Sequence, residues 1–443
     1  MDEIERNLME NSPTNKVIKS LIDDHRKSSI KTAKLFSEYK GDVAIKRRCL
    51  PDPLKLNNKL SNDFRGQIVD SVVGYMFGVP ISYTLDRNSY AEAEAELFIK
   101  HSNILQDFIR RNNIADIDSR TGKFNTVSGY SGRLLFIDKE GNERVTYVPP
   151  WECIFSENGS TGDPQYAIRY YKVEVETDKG VEERFKVEFY DSRFLTVFLQ
   201  DHQGDYPLHE APRLHLFDGV PLIKFVNNDE EMGDFEKVES LIDAYDLLLS
   251  DAQNEVEEFR NAYMVFSGVE VDQHFMDASR QTGAIQLPDN ANATFLTKQI
   301  NDTFLENQKA SIEDNIYRFT SSVNYSDEGF SGSGVSGESR KWKLLSLENK
   351  CITKERKFAT GLMQMFKVLC SAWRKKGYDI NYMHLIFQFT RNLPVDLHHY
   401  TEVATKLKGN VSETTRLGLL PFVPDIQREI DLMEAEKDSP KEE

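Results

Sequence analysis

Long apolar runs are missing from this 443-residue chain. No stretch approaches the ~18 apolar residues that a membrane-spanning helix needs, so no membrane association is expected. Cysteine is scarce: Cys49, Cys153, Cys351 and Cys370 stand far apart, and no C-x-x-C pair occurs. Neither a disulfide framework nor a thiolate zinc site is expected, and the four thiols read as reduced in an intracellular protein. The acidic, polar start MDEIERNLMENSPTNK does not read as a secretory signal, which again points to the cytoplasm. Positive charge is in deficit, with 55 Lys and Arg against 72 Asp and Glu and a net charge of −17. A general nucleic-acid binder gains affinity when Lys and Arg displace counterions from phosphates, so this balance argues against one. It does not argue against a protein that nucleic acid must pass without sticking.

What is present divides the chain. Residues 1–40 and 61–79 carry helical spacing; in the second run Phe64, Ile68, Val72, Tyr75 and Met76 share one face, and Gly78-Val79-Pro80 stops it. Residues 91–114 are expected to be helical. Residues 124–225 hold short β-rich runs, among them LLFIDKEGNERVTYV, IRYYKVEVE, RFKVEFY and FLTVFL, with a hairpin turn expected at Asp138–Asn142. From Asp234 to Tyr263 the apolar residues Phe235, Val238, Ile242, Tyr245, Leu249, Ala252, Val256, Phe259 and Tyr263 recur every three or four positions. That spacing predicts a helix of about eight turns with one apolar stripe. The opposite face is acidic and polar, with Glu236, Asp243, Asp251, Asn254, Glu257 and Glu258, and from 234 to 259 the only basic residue is Lys237. A helix without i,i+4 charge pairs needs another support, such as neighbours on its flanks and a lumen of negative potential. A possible strand at 283–287 follows, then a helix at 303–323 with Phe304, Ile312, Ile316 and Phe319 spaced for one face. A glycine-serine loop precedes a long helix at 342–376, a short strand is expected at 383–389, and the C-terminal region is helical with an acidic tail. The fold class is therefore α+β, helices with a mostly antiparallel sheet, and no internal repeat is visible.

Few motifs carry chemistry. Gly332–Ser339, GSGVSGES, matches G-x-G-x-x-G and also a P-loop, except that Glu338 stands where the phosphate-binding lysine belongs. Both motifs work when the loop follows a strand and opens a helix, because backbone N–H groups and the helix N-terminus then face phosphate. Here the preceding SIEDNIYRFTSSVN reads as a helix, and Glu338 would repel a phosphate. A nucleotide-binding enzyme using this loop is the alternative kept open; a flexible Gly/Ser connection between helices is preferred. His209-Glu210 begins an H-E-x-x-H pattern, but Arg213 occupies the second histidine position and Pro212 would break the helix. Asp116 with Asp118, and Asn227–Glu231, are expected to face water. No G-x-S-x-G or supported Cys/His pair occurs, so no catalytic residue, metal site or cofactor is assigned.

Four blocks in order resemble the portal proteins of tailed bacteriophages, in the branch of long non-contractile-tailed phages of Gram-positive hosts. YKGDVAIKRR and NNKLSNDFRGQIVDSVVGYMFGVPISY match an N-terminal signature at Gly74, Tyr75, Gly78, Pro80 and Ile81. LLFIDKEGNERVTYVPPWECIF matches a strand pair and Pro-x-Glu turn at Pro150 and Glu152. The most specific block is GVPLIKFVNNDEEMGDFEKVESLIDAYDLLLSDAQNEVEEF, with Pro221, Phe225, Asn227, Asn228, Asp234, Ile242, Asp243 and Tyr245. LGLLPFVPDIQREIDLMEAE resembles the C-terminal segment.

The resemblance implies a non-enzymatic ring, usually of twelve subunits, at one capsid vertex of the virion. It would be assembled in the host cytoplasm, and double-stranded DNA would be packaged, held and ejected through it without sequence preference. Implied partners are the terminase large subunit, major capsid and scaffolding proteins, and a head-completion adaptor. On this chain it implies a wing at 1–233, a first stem helix at 234–264, a clip at 265–302 and a second stem helix at 303–324. A channel loop at 325–341, a wing helix and return strand at 342–389 and a crown with acidic tail at 390–443 would follow. Asp243, Asp251, Asn254, Glu257 and Glu258 would line the channel. Gly329, Ser331, Gly332, Ser333, Gly334, Val335, Ser336, Gly337, Arg340 and Lys341 would form the DNA-facing loop, with Lys343 nearby. Glu270, Asp272, Gln273, Asp277 and Arg280 would meet terminase at the clip. Another head–tail structural protein sharing only the wing-like region is the remaining alternative.

Overall fold

The computed structural model describes residues 13–433 except 54, 157–162, 178–179, several positions between 261 and 301, 326–341, and several between 393 and 432. The chain forms two units, 1–390 and 391–443. The first begins with α1 (Asn15–Tyr39) and α2 (Phe64–Phe77), joined by a short 3-10 turn at Ala44–Arg47 and an irregular segment. Asp63 starts α2 by accepting the Gly66 amide, which satisfies one of the donors a helix N-terminus leaves open. The face expected from the spacing is buried: Phe64, Ile68, Val72, Tyr75 and Met76.

Strand β1 (Ser82–Leu85) precedes α3 (Ala95–Arg111) and α4 (Ile114–Ser128). Helix α4 departs from the sequence expectation, which took 124–225 as β-rich and placed Asp116 and Asp118 in a solvated loop. Its inner face is small and polar, with Thr121, Gly122, Asn125 and Thr126 buried, so it shows little apolar periodicity. Gly122 is required there because a Cβ would come 2.2 Å from the Phe77 ring.

Strands β2 (Tyr130–Ile137) and β3 (Glu143–Val148) form the expected hairpin. The Asp138 amide donates to the Asn142 carbonyl, and Gly141 has φ +82°. With β9 (Leu222–Val226) they make an antiparallel sheet of order β3-β2-β9. A second sheet is a five-stranded antiparallel meander of β4 (Cys153–Phe155), β5 (Ala167–Thr177), β6 (Gly180–Tyr190), β7 (Phe194–Leu199) and β8 (Leu208–Leu214).

Helix α5 (Glu239–Arg260) is followed by β10 (Tyr263–Ser267), β11 (Asn292–Leu296) and α6 (Asp302–Thr320). The helix is shorter than the 234–264 expected: a 3-10 turn occupies Glu236–Val238, and Tyr263 opens a strand paired with Leu296. The strand expected at 283–287 lies largely outside the described residues. Helix α7 (Leu345–Lys375) crosses the unit, and β12 (Leu385–Gln388) returns to pair antiparallel with β1. Phe358, Leu362, Met365, Phe366, Leu369 and Trp373 of α7 form the main core with Leu105, Phe108, Phe217 and Phe225. Each such buried side chain contributes about 1.5–3 kcal/mol. Gly361 lets α7 approach β9, since a Cβ there would lie 2.6 Å from the Phe225 ring. The second unit contains α8 (Leu397–Leu407) and α9 (Glu413–Gly418), with Ala404 and Leu417 buried. Among the described residues no helix is long and apolar enough to cross a membrane, and no disulfide joins the four cysteines.

Candidate functional site

The acidic helix α5 is the most distinctive feature of the sequence, and its surroundings explain how it stands. Its apolar stripe is covered over the first turns. Phe235, Val238, Ile242 and Tyr245 are buried against Phe64 of α2 and Ile316 and Tyr317 of α6, whereas Val256 is 46% exposed. Phe304 and Phe319 of α6, expected on its buried face, are also exposed.

The polar face is held by the chain's own N-terminal region. Residues 58–62 run along α5 in the opposite direction. The Asn58 amide and Nδ2 donate to Asn254 Oδ1 at 2.8 and 2.9 Å, the Leu60 amide to Ser250 Oγ at 3.0 Å, and the Asn62 amide and Nδ2 to Asp246 Oδ1, both at 2.8 Å. The periodicities match. Two residues of extended chain advance roughly 6.6 Å, and four residues of helix roughly 6.0 Å, so every second amide meets the next helical turn. Asp246, Ser250 and Asn254 are buried beneath this strap. Burial pushes the Asp246 carboxyl above its ordinary value, opposed by the two Asn62 donors.

Cations missing from α5 itself arrive from α1, α2 and the connection between them. Lys31 pairs with Glu236 at 2.5 Å, Lys34 with Glu239 at 3.8 Å, Arg65 with Asp243 at 2.9 Å and Arg48 with Asp251 at 2.8 Å. Of the five residues expected along a channel, then, Asn254 is enclosed by its own chain, and Asp243 and Asp251 are half-exposed and paired. Glu257 is half-buried beside Gln253 Nε2, and Glu258 is exposed.

The start of α5 is fixed by a buried charge node. The Asp234 carboxylate accepts Lys354 Nζ at 2.8 and 2.9 Å, Lys350 Nζ at 2.7 Å and Asn227 Nδ2 at 2.8 Å. Lys350 also donates to the Thr320 carbonyl at 2.7 Å, which ties the end of α6 to the same point. Burial alone would raise the Asp234 carboxyl, but the charges of Lys350 and Lys354 outweigh it and hold it well below the usual carboxylate range. The loop leading to Asp234 lies on α4 with no room for side chains: a Cβ on Gly129 (φ +89°) would sit 1.9 Å from the Glu231 carbonyl oxygen, and one on Gly233 2.1 Å from that of Val127. Asn227 is buried here and does not face water as its loop composition suggested.

Asp118 is likewise buried. It accepts Arg133 Nη2 at 2.7 Å and the Tyr83 hydroxyl at 2.9 Å, and the Arg133 guanidinium lies 4.4 Å from the centre of the Phe225 ring. Both networks join structural elements, and among the described residues neither opens onto a cleft of substrate size. Among those residues, too, no His, Cys, Asp and Glu cluster is arranged to hold a metal.

The glycine loop, with Gly329, Ser331–Gly337, Arg340 and Lys341, lies outside the described residues, as does Arg280. Trp342, just beyond the loop, is 72% exposed. Of the remaining expected clip residues, Glu270, Asp272, Gln273 and Asp277 are exposed in the connection between β10 and β11.

Comparison with known proteins identifies relatives along nearly the whole chain. A family model described as phage portal protein, SPP1 Gp6-like, matches residues 18–443. The chain is 26% identical over 456 residues to a portal protein of Bacillus phage SPP1, spanning 96% of this chain and 86% of that protein. It is 24% identical over 433 residues to a portal protein of Clostridium phage phiCD119, spanning 91% and 92% respectively.

Proposed function

The chain belongs to the SPP1 Gp6-like family of phage portal proteins, and from that premise we propose that copies of it close into a ring at one capsid vertex, through which genomic DNA is packaged, retained and ejected. The observation that carries this reading is a family match running almost from end to end, with two portal relatives matched at nearly full length. The role is structural and not catalytic, and the place of action is the virion. Terminase, the capsid and scaffolding proteins and a head-completion adaptor are the partners such a ring requires.

Helices α5 and α6 would form the stem, and the exposed Val256 of α5, with the exposed Phe304 and Phe319 of α6, supports packing against neighbouring subunits. Glu258, with Asp251 and Glu257 beside it, would give the lumen its negative potential; Asn254 would anchor the strap, and Asp243 would hold α2 through Arg65. A phosphate within a Debye length of such a wall, about 8 Å in physiological salt, is repelled, so DNA slides. The exposed acids of 270–277 support a contact with terminase or adaptor, and the Gly/Ser segment 326–341, between α6 and α7 in the chain, would be the loop that narrows the channel.

The test is negative-stain electron microscopy of the purified full chain, with native mass measured alongside. Closed rings with a central hole, of about twelve subunits by mass, are expected. Defined small oligomers without a hole, under conditions where the chain is folded, would overturn the reading.

A further inference from the structure

Charge is segregated along this chain in a way that the stem does not use up. Residues 16–59 hold twelve Lys and Arg against five Asp and Glu, inside a chain of net charge −17. On α1, Lys31 and Lys34 are spent on Glu236, Glu239 and Glu38. Arg26 and Lys27 are exposed, and Ile30 beside them is 63% exposed. One turn earlier, Asp23 and Asp24 bound the patch.

A second surface has the opposite character. Between 91 and 100 every residue except Phe98 is exposed, and the sequence there is AEAEAELFIK. Glu92 and Glu96 project alongside Leu97, 41% exposed, and Ile99, 58% exposed. Phe98 anchors this knob, its ring 5.4 Å from Tyr90 and 5.3 Å from the Arg87 guanidinium. Helix α1 rests on α2, α4 and the Pro150–Glu152 turn, while α3 rests on β1, β3 and α4, so the two surfaces are built on different elements of the unit.

We propose that the acidic knob at Glu92–Ile99 of one copy docks on the basic face of α1, at Arg26, Lys27 and Ile30, of the next copy. The inference rests on the ring reading and says where one contact between subunits lies. A patch on one face that fits a different patch on another makes a heterologous contact, the kind that closes into rings when the rotation permits. The occupant follows from chemistry. Arg26 and Lys27 need carboxylates, and Ile30 needs an apolar neighbour; the knob offers both within one turn. A DNA backbone would satisfy the cations only and would leave Ile30 in water.

The experiment compares assembly of the full chain with three variants by native mass spectrometry and sedimentation, with melting curves to confirm folding. These are Arg26→Glu/Lys27→Glu, Glu92→Lys/Glu96→Lys, and the four substitutions together. Each pair alone is expected to raise the concentration at half-assembly about tenfold or more, as breaking close interfacial charge pairs does, and the four together are expected to restore it. Rings that form normally in both pair variants would overturn the inference and leave the ring reading standing. An unaltered chain that stays monomeric would remove both. Unimpaired assembly with weakened binding of double-stranded DNA in Arg26→Glu/Lys27→Glu would assign the surface to nucleic acid instead.

Discussion

Replacing Asp234 by Asn removes one negative charge from a point where two ammonium groups converge. The Lys354 side chain is 8% exposed and that of Lys350 20% exposed, so neither recovers full hydration when its partner is lost. Burial already lowers the Lys354 pKa despite the pull of Asp234. A buried charge stranded in this way costs about 3–5 kcal/mol. Lys354→Met should cost less, about 1–3 kcal/mol, because it removes the hydrogen bonds to Asp234 and Thr126 while Lys350 still neutralises the carboxylate. The decisive quantity is the double variant. With Lys354 gone, Asp234→Asn strands only Lys350, which keeps the Thr320 carbonyl and some solvent. The pair should therefore be less destabilised than the sum of the single variants by about 2 kcal/mol, within the usual range for coupled neighbours. Urea unfolding at one protein concentration, followed by the fluorescence of tryptophans that include the buried Trp373, measures all three. A loss below about 1 kcal/mol for Asp234→Asn, or additivity within about 0.5 kcal/mol, would show that the node does not hold the start of α5.

Four further outcomes are expected. Asp246→Ala leaves both Asn62 donors without their acceptor and should cost about 1–3 kcal/mol, against about 1 kcal/mol for Ser250→Ala. It should also speed tryptic cleavage after Lys55 or Lys59, and unchanged cleavage would refute the strap. His25 sits between the Tyr170 and Tyr130 hydroxyls, and burial, helped by the charge of Lys224, pushes it down to about 4. Its unfolded value is about 6.5, so between these values the unfolded chain binds more protons, and stability falls as pH drops from about 6.5 toward 4. His25→Asn should flatten that slope; equal slopes for parent and variant would sink the assignment. Asp251→Lys with Glu258→Lys should make assembled rings retain double-stranded DNA at low salt, and unchanged retention would mean that these side chains do not face the lumen. Shortening 329–337 should leave ring assembly intact and impair DNA packaging in infected cells; normal packaging would refute a channel role for that loop.

How much of this was legible from the sequence depends on how far away each partner lies. The Asp138–Asn142 hairpin and the buried face of α2 could be read because their determinants sit within a few residues of one another. Helix α4 could not, because its inner face buries Thr, Gly and Asn, whose hydroxyl and amide groups are satisfied locally or by neighbouring elements and leave no apolar period. Asp118 was misplaced for the same reason: its partner Arg133 lies on the following strand, and proximity to Asp116 suggested water. Tyr263 continues the three-and-four spacing of α5 by coincidence, while its backbone pairs with Leu296. The acidic face of α5 is the most instructive case. Its lack of lysine signalled that support must come from outside the helix, and neighbours on its flanks were one expected source. The neighbour found is a strap whose amides reach Asp246, Ser250 and Asn254 across 184 to 196 residues of sequence. Such a match leaves its trace in Asn58 and Asn62, short side chains that double the backbone donation, at a spacing that only the helix makes meaningful. The same helix can then serve both ends: the turns from Asp243 to Asn254 hold it to the body, and the acids beyond the strap keep a solvated side for whatever passes.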